Sequence, residues 1–461
     1  MKIIKPNISK SNKVYEYAKK TIPSGGQTFS KGVTQFVEGF APKYLESGKG
    51  AYSTDLDGNR YIDYVMGCHP IILGYADPDV NKAVIDQLKK GSTFSLHNKL
   101  EVEVTKMMID AIPSAEMVRF GKNGSDATTV GVRVARAYTK RDHIAYCGYH
   151  GWHDWFIANT DLNAGIPNFN KKLAHSFNYN DLGSLEALFK KNKNKIAVVI
   201  MEPLTVSKPE CYGPKNCKNL KCKKFCQNNF LTEVKKITKK NGALLMFDEV
   251  ITGFRFGLGG AQEKVGVTPD LSSFAKAMSN GIPISAIVGK KEYMQHLDKI
   301  FFSFAYGGDC LGLAATKATI NKIKKKKVID HLYGVGDHLQ KGINKLAQDH
   351  QLDEFFSCPG FSCRTIFSIN GQKKFKELEM KSFIQQELFR RGILWAAYHA
   401  ISYSHKIKEI NMTLNAFDEI FSKFKNNFIK KNLNLRNNIE GKVVRPVFRK
   451  VADFNSYTTK K

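Results

Sequence analysis

Residues 243–249 read Ala243-Leu244-Leu245-Met246-Phe247-Asp248-Glu249, five apolar residues that end in two carboxylates. This is the pattern of a parallel strand buried on both faces. Its acidic end would open into the crevice where α/β sheets bind ligands. One crossover later, Ser273-Phe274-Ala275-Lys276-Ala277-Met278-Ser279-Asn280-Gly281 carries Lys276. A strand-end carboxylate and a lysine are the two charged groups that pyridoxal phosphate chemistry needs. The lysine amine forms a Schiff base with an aldehyde, and Asp248 holds the pyridine nitrogen protonated, so that the ring becomes an electron sink for a carbanion. A surface lysine or a strand-end acid would explain either segment alone, and the two together carry the assignment.

Two further segments read as parts of the same site. Met117-Val118-Arg119-Phe120 is a strand pattern that runs into Gly121-Lys122-Asn123-Gly124-Ser125-Asp126-Ala127, followed by a helical period with Val130, Val134 and Ala137 on one side. Glycine lets the backbone approach a phosphate, and the free amides at a helix start favour an anion. Ser125 adds a hydroxyl. The run Cys147-Gly148-Tyr149-His150-Gly151-Trp152-His153-Asp154 follows another strand. His150 and His153 suggest a metal, but they lack the helical spacing of a ligand pair, so no metal is assigned there. Glu202 ends a strand in Met201-Glu202-Pro203.

The elements that must position these residues alternate. Apolar strands at 117–120, 143–147, 196–201, 243–247 and 286–288 are separated by helical periods, which argues for a mostly parallel sheet flanked by helices. The segment 50–63 carries the hairpin signal Asp57-Gly58-Asn59, and Met66-Gly67-Cys68-His69-Pro70 is rich in turn residues. Beyond residue 329 helices outnumber strands. The expected organisation is an N-terminal segment over 1–70, a large domain over 71–325, a smaller C-terminal domain over 326–435 and a polar tail over 436–461.

A chain of 461 residues with 42% apolar and 11% aromatic content supports a large globular core and excludes a disordered chain. No apolar run is long enough to span a bilayer, and Met1-Lys2-Ile3-Ile4-Lys5-Pro6 lacks the core of a signal peptide. A cytoplasmic protein is expected. The net charge of +29 raises the alternative of a polyanion-binding protein. The lysines are scattered, however, and the densest run, Lys324 to Lys327, falls at a helix end where cations complement the dipole. No dedicated nucleic-acid or membrane partner is assigned. Four of the nine cysteines, Cys211, Cys217, Cys222 and Cys226, crowd into one stretch near residues 208–228. Their spacing departs from the paired pattern of zinc knuckles, and they read as free thiols in a surface loop rather than as metal ligands.

Taken together, from about Gly25 to Lys423 the chain resembles the class III, fold-type I pyridoxal-phosphate aminotransferases, and most of all their glutamate-1-semialdehyde aminomutase-like branch. The resemblance rests on Phe247 to Arg255 and Phe274 to Gly281. It implies an α/β fold, with a large domain around a seven-stranded, mostly parallel sheet and a smaller α+β domain from both chain ends. It implies pyridoxal phosphate as cofactor, Lys276 and Asp248 as catalytic residues, and Gly124, Ser125, Tyr149 and Glu202 as cofactor contacts, with Tyr149 stacking on the ring. It makes the cysteine stretch an insertion. It also implies a homodimer that moves an amino group from an amino-acid donor to a keto or aldehyde acceptor, a sugar intermediate being the favoured one. An aminomutase, a racemase and a non-catalytic polyanion binder on the same fold are the alternatives. Two departures stand out. Alanine, Ala305, occupies the family's phosphate-binding threonine position in Ser303-Phe304-Ala305-Tyr306-Gly307-Gly308, and Gly25 to Gly32 offers Lys31 where the aminomutase has an arginine clamp.

Overall fold

The computed structural model describes residues 4–204, 206–212, 226, 228–372 and 374–445. Within them the chain divides into two compact units, residues 4–77 with 330–445, and residues 78–329.

In the first unit, β1 (Leu45–Lys49), β2 (Tyr52–Asp55) and β3 (Arg60–Asp63) form an antiparallel meander. The β2–β3 turn forms where expected. Gly58 takes a positive φ there, and the Asp55 carboxylate accepts the Asp57 and Asn59 amides. Strand β3 pairs in parallel with Ile393–Leu394, so the two ends of the chain share one sheet. A second small sheet pairs Gly360–Phe361, Arg364–Ile366 and Tyr398–Ala400, all antiparallel. Rings of Phe356, Phe367, Phe417, Phe421 and Phe424 pack into one another to form the core of this unit. The described part of the polar stretch after residue 435 is docked: Val444 is buried, and its amide donates to Ser382 Oγ at 3.0 Å.

The second unit is built on a seven-stranded sheet. Its strands are β4 (Met117–Gly121), β5 (His143–Cys147), β6 (Ala174–Ser176), β7 (Ile196–Met201), β8 (Leu244–Asp248), β9 (Leu271–Phe274) and β10 (Ser285–Gly289). Their spatial order is β4-β10-β9-β8-β7-β5-β6. Only β10 runs against its neighbours. Every residue of β7 and β8 is buried, which is why both read as unbroken apolar runs. The helix Gly124–Thr139 lays Val130, Val134 and Ala135 on this core. Burial of each such valine is worth about 1.5–3 kcal/mol.

Two strands escape the sequence pattern. Strand β6 has three residues, and β9 is Leu-Ser-Ser-Phe with both serines buried. Ser272 bonds Ser114 and Gln262, and Ser273 bonds Asp248, so burial costs β9 no unpaired hydroxyl and its polarity conceals it.

Among the described residues no helix is long and apolar enough to cross a membrane. Cys211 and Cys226 bring their sulfurs to 3.1 Å, while Cys217 and Cys222 lie outside the described residues. No group of three or more His, Cys, Asp or Glu side chains gathers as a metal site among the described residues.

Candidate active site

The ends of β4, β5, β7, β8 and β9 meet at one cavity of about 150 Å³. All six residues singled out from the sequence line it: Gly124, Ser125, Tyr149, Glu202, Asp248 and Lys276. Strand order explains the convergence, since residues far apart in the chain sit at the C-terminal ends of neighbouring parallel strands.

Asp248 is the last residue of β8 and is buried. Its Oδ1 accepts from the Val250 amide at 3.0 Å and from Ser273 Oγ at 3.2 Å. Its Oδ2 lies 2.8 Å from His150 Nδ1, and the other ring nitrogen lies 3.2 Å from the Cys147 carbonyl oxygen. Both partners of the imidazole are acceptors, so whichever ring nitrogen carries a proton donates it to one of them. His150 is therefore a buried support for the Asp248 carboxylate, a role that the Tyr-His-Gly run alone did not disclose.

Glu249, the neighbouring carboxylate, has a different task. It is fully buried and accepts the Ala261 and Gln262 amides at 2.8 Å each, together with the Thr252 hydroxyl. Burial pushes it up to about 7, against these hydrogen bonds, which pull it down. It ties down the loop that follows β8.

Lys276 opens the turn after β9 with a backbone φ of +46°, which a non-glycine residue rarely adopts. Such conformations persist where the surroundings over-determine them, and they cluster at functional sites. Gly124 and Ser125 begin the 16-residue helix and line the cavity, and the Asp126 carboxylate accepts the Asn123 amide at 2.7 Å just before them. Glycine is required at 124 because a Cβ there would meet Val250 Cγ1 at 2.9 Å. Tyr149 forms an aromatic wall, braced edge-on by Phe156 at 5.4 Å. The Glu202 side chain is 8% exposed and accepts no hydrogen bond among the described residues, so it is available to a ligand.

Thr128, Gly151, Val250 and Ile251 also line the cavity and were not expected. Their signal was positional, since each lies within a turn of a residue already singled out. Ser303 lines a different cavity of the same unit, about 360 Å³, with Glu101, Arg119 and Gly307. Lys31 lines a cavity of the first unit with Lys43 and Tyr44.

The sequence pattern of the family Aminotransferase class-III matches residues 38–357. The chain belongs to the class III aminotransferases. It is 35% identical to 3-aminobutyryl-CoA aminotransferase of Cloacimonas acidaminovorans, over 91% of this chain and 99% of that protein. It is 32% identical to glutamate-1-semialdehyde 2,1-aminomutase of Francisella tularensis, over 88% and 97% of the two chains. Among solved structures, the PLP form of the FumI protein of Sphingopyxis sp. MTA144 superposes with a TM-score of 0.81 at 26% identity, covering 91% of this chain and 98% of that one.

The cofactor of this aminotransferase is pyridoxal phosphate, and the cavity fits it. Helix amides and a hydroxyl suit a phosphate, an aromatic face suits a ring, and a buried carboxylate and an amine stand ready for a ring nitrogen and an aldehyde.

Proposed function

We propose that this aminotransferase moves an amino group from an amino-acid donor, glutamate foremost, to a keto- or aldehyde-bearing metabolite, with Lys276 and Asp248 as its catalytic residues. The observation that supports this most is the meeting of an amine, a carboxylate, an aromatic face and helix-start amides in one cavity. When bound, pyridoxal phosphate supplies an aldehyde that captures amines and a ring that accepts electron density. Lys276 Nζ would anchor it and would carry the proton to and from the substrate carbon. Asp248 keeps a proton on the ring nitrogen, and His150 holds Asp248 in place. The Gly124 and Ser125 amides and Ser125 Oγ bind the phosphate. Tyr149 shields one ring face from water, and Glu202 accepts a hydrogen bond from the bound group.

The acceptor expected from the sequence is a sugar intermediate. A 3-oxoacyl thioester is the second candidate, favoured by the similarity to the 3-aminobutyryl-CoA enzyme. The aminomutase reading draws on the Francisella relative, but Lys31 stands where that activity calls for an arginine. We also propose a homodimer. Leu96, Val102, Phe301 and Tyr306, all more than 60% exposed and in or next to the segments that line the Ser303 cavity, support that pairing.

The experiment is a panel of amino donors with keto-sugars, 3-oxoacyl thioesters and glutamate 1-semialdehyde, run beside the absorption spectrum. Absorbance near the visible edge that borohydride bleaches, together with amino transfer to one acceptor class, is the expected result. Its absence in the purified, cofactor-supplied protein would refute the reading.

A further inference from the structure

The chain that joins β7 to the helix Phe230–Lys240 is pinched at its neck, within the second unit. The Phe230 amide donates to the Glu210 carbonyl at 2.8 Å and the Tyr212 amide to the Asn228 carbonyl at 2.7 Å, so Cys211 and Asn229 face each other across an antiparallel bridge. Asn180 braces the same neck. Its Nδ2 donates to the Lys208 carbonyl at 2.9 Å, its Oδ1 accepts the Glu210 amide at 3.0 Å, and its carbonyl accepts the Tyr212 hydroxyl at 3.1 Å.

Asn229 ties the other side of the neck to the helix. It is buried, and its Oδ1 accepts the Leu231 and Thr232 amides at 2.9 and 3.2 Å as the N-cap. Its Nδ2 donates to the Cys226 carbonyl at 2.6 Å, which fixes Cys226 beside the bridge. The outcome is a Cys211 Sγ to Cys226 Sγ distance of 3.1 Å. A disulfide bond is about 2.05 Å long, so closing it takes a side-chain movement of about 1 Å on a backbone already in place. These two are also the cysteines of the stretch that lie farthest apart, 15 positions, whereas its neighbouring cysteines are separated by 4 to 6. Loop entropy disfavours the long pairing in a chain without structure, so the neck is what brings the two sulfurs together.

We propose that Cys211 and Cys226 form a reversible oxidation site, closed to a disulfide by a small disulfide of the glutathione class and reopened by the corresponding thiol. Cys211 is exposed and reacts first. It releases its proton and attacks one sulfur of the small disulfide. That S–S bond breaks, the leaving thiolate takes up a proton, and a mixed disulfide stays on Cys211. Cys226 then loses its proton, attacks the Cys211 sulfur and expels the second small thiol. Two protein thiols are oxidised, one small disulfide is reduced to two thiols, and no other reactant is needed.

The test treats the reduced, full-length holoenzyme with oxidised glutathione at neutral pH, quenches with an alkylating reagent and maps the linked peptides by mass spectrometry without reduction. The native protein should yield the Cys211–Cys226 link as its main product. In urea each neighbouring pairing should outnumber that link by about fivefold, the loop-closure ratio for a threefold difference in length. Cys226→Ser should stop with glutathione held on Cys211, and reduced glutathione should reopen the wild-type link. The same products from native and urea-unfolded protein overturn the proposal. So does a native link from Cys211 or Cys226 to Cys217 or Cys222, or a wild type in which glutathione persists on Cys211. A Cys226→Ser protein without the Cys211 adduct also overturns it. If that variant fails to fold, the wild-type comparison between native and urea-unfolded protein decides alone.

Discussion

Asp248→Asn separates charge from structure more cleanly than any other change at this site. In the native site Oδ1 accepts from Val250 and Ser273, while Oδ2 meets His150 Nδ1. An asparagine keeps the first oxygen, and its amide nitrogen can donate to His150 Nδ1 once that nitrogen is bare. The imidazole proton then sits on Nε2, facing the Cys147 carbonyl that already lies 3.2 Å away. The hydrogen bonds to Val250, Ser273 and His150 are all kept and only the second amide N–H is left facing the cavity, so the fold should lose less than about 1 kcal/mol. For a chain of this size that is a change of about 3 °C or less in Tm. The negative charge is lost, however, from a site that is almost closed to water. Removing one preorganised electrostatic partner from such a site costs about 3–4 kcal/mol, or about 10²–10³ in rate. Single-turnover mixing of the cofactor-loaded variant with an amino donor, followed by absorbance, reads the rate, and a thermal melt reads the fold. A rate within about threefold of wild type at matched cofactor content would remove Asp248 from its role. A melt lowered by ten degrees or more would refute the hydrogen-bond exchange.

Lys276→Ala should reduce turnover by about four orders of magnitude or more, since anchor and proton carrier leave together, while dialysed protein retains some cofactor. Near-normal transamination would sink the assignment. Burial lowers His399 from 6.5 to about 3, and Trp395 Nε1–H points at its Nε2 from 3.1 Å, where a second proton would face a donor. A depressed histidine contributes stability above its unfolded value and loses it as pH falls, here through the window from 6.5 towards 3. Between pH 6.5 and 4.5 the loss is about 2 kcal/mol, to be read as a urea midpoint that shifts with pH and flattens in His399→Gln. Replacement of Cys211, Cys217, Cys222 and Cys226 by serine should leave activity and melting nearly unchanged, as for most surface changes. Elemental analysis should show no stoichiometric zinc or iron, and one equivalent of either would overturn the free-thiol reading.

Much of this protein is written locally. The buried strands β7 and β8 announce themselves because a strand covered on both faces has no polar positions to interrupt it. Asp248 follows, at the end of β8, while Gly124, Ser125 and Lys276 are legible from short motifs and their spacing. Strand β9 did not announce itself, because its buried serines are satisfied by Ser114, Gln262 and Asp248, partners that proximity in the chain does not reveal. The same holds for the division of labour between Asp248 and Glu249. Side by side in sequence, they point to opposite faces of the chain, one into the cavity and one onto the Ala261 and Gln262 amides. His150 supports Asp248 only because β5 and β8 flank β7 in one sheet. What the sequence determined by itself was the kind of chemistry, since periodicity and short motifs are local. Which side chains hold, orient and complement those groups was decided by strand order and loop conformation, because hydrogen bonds form between neighbours in space whatever their separation along the chain.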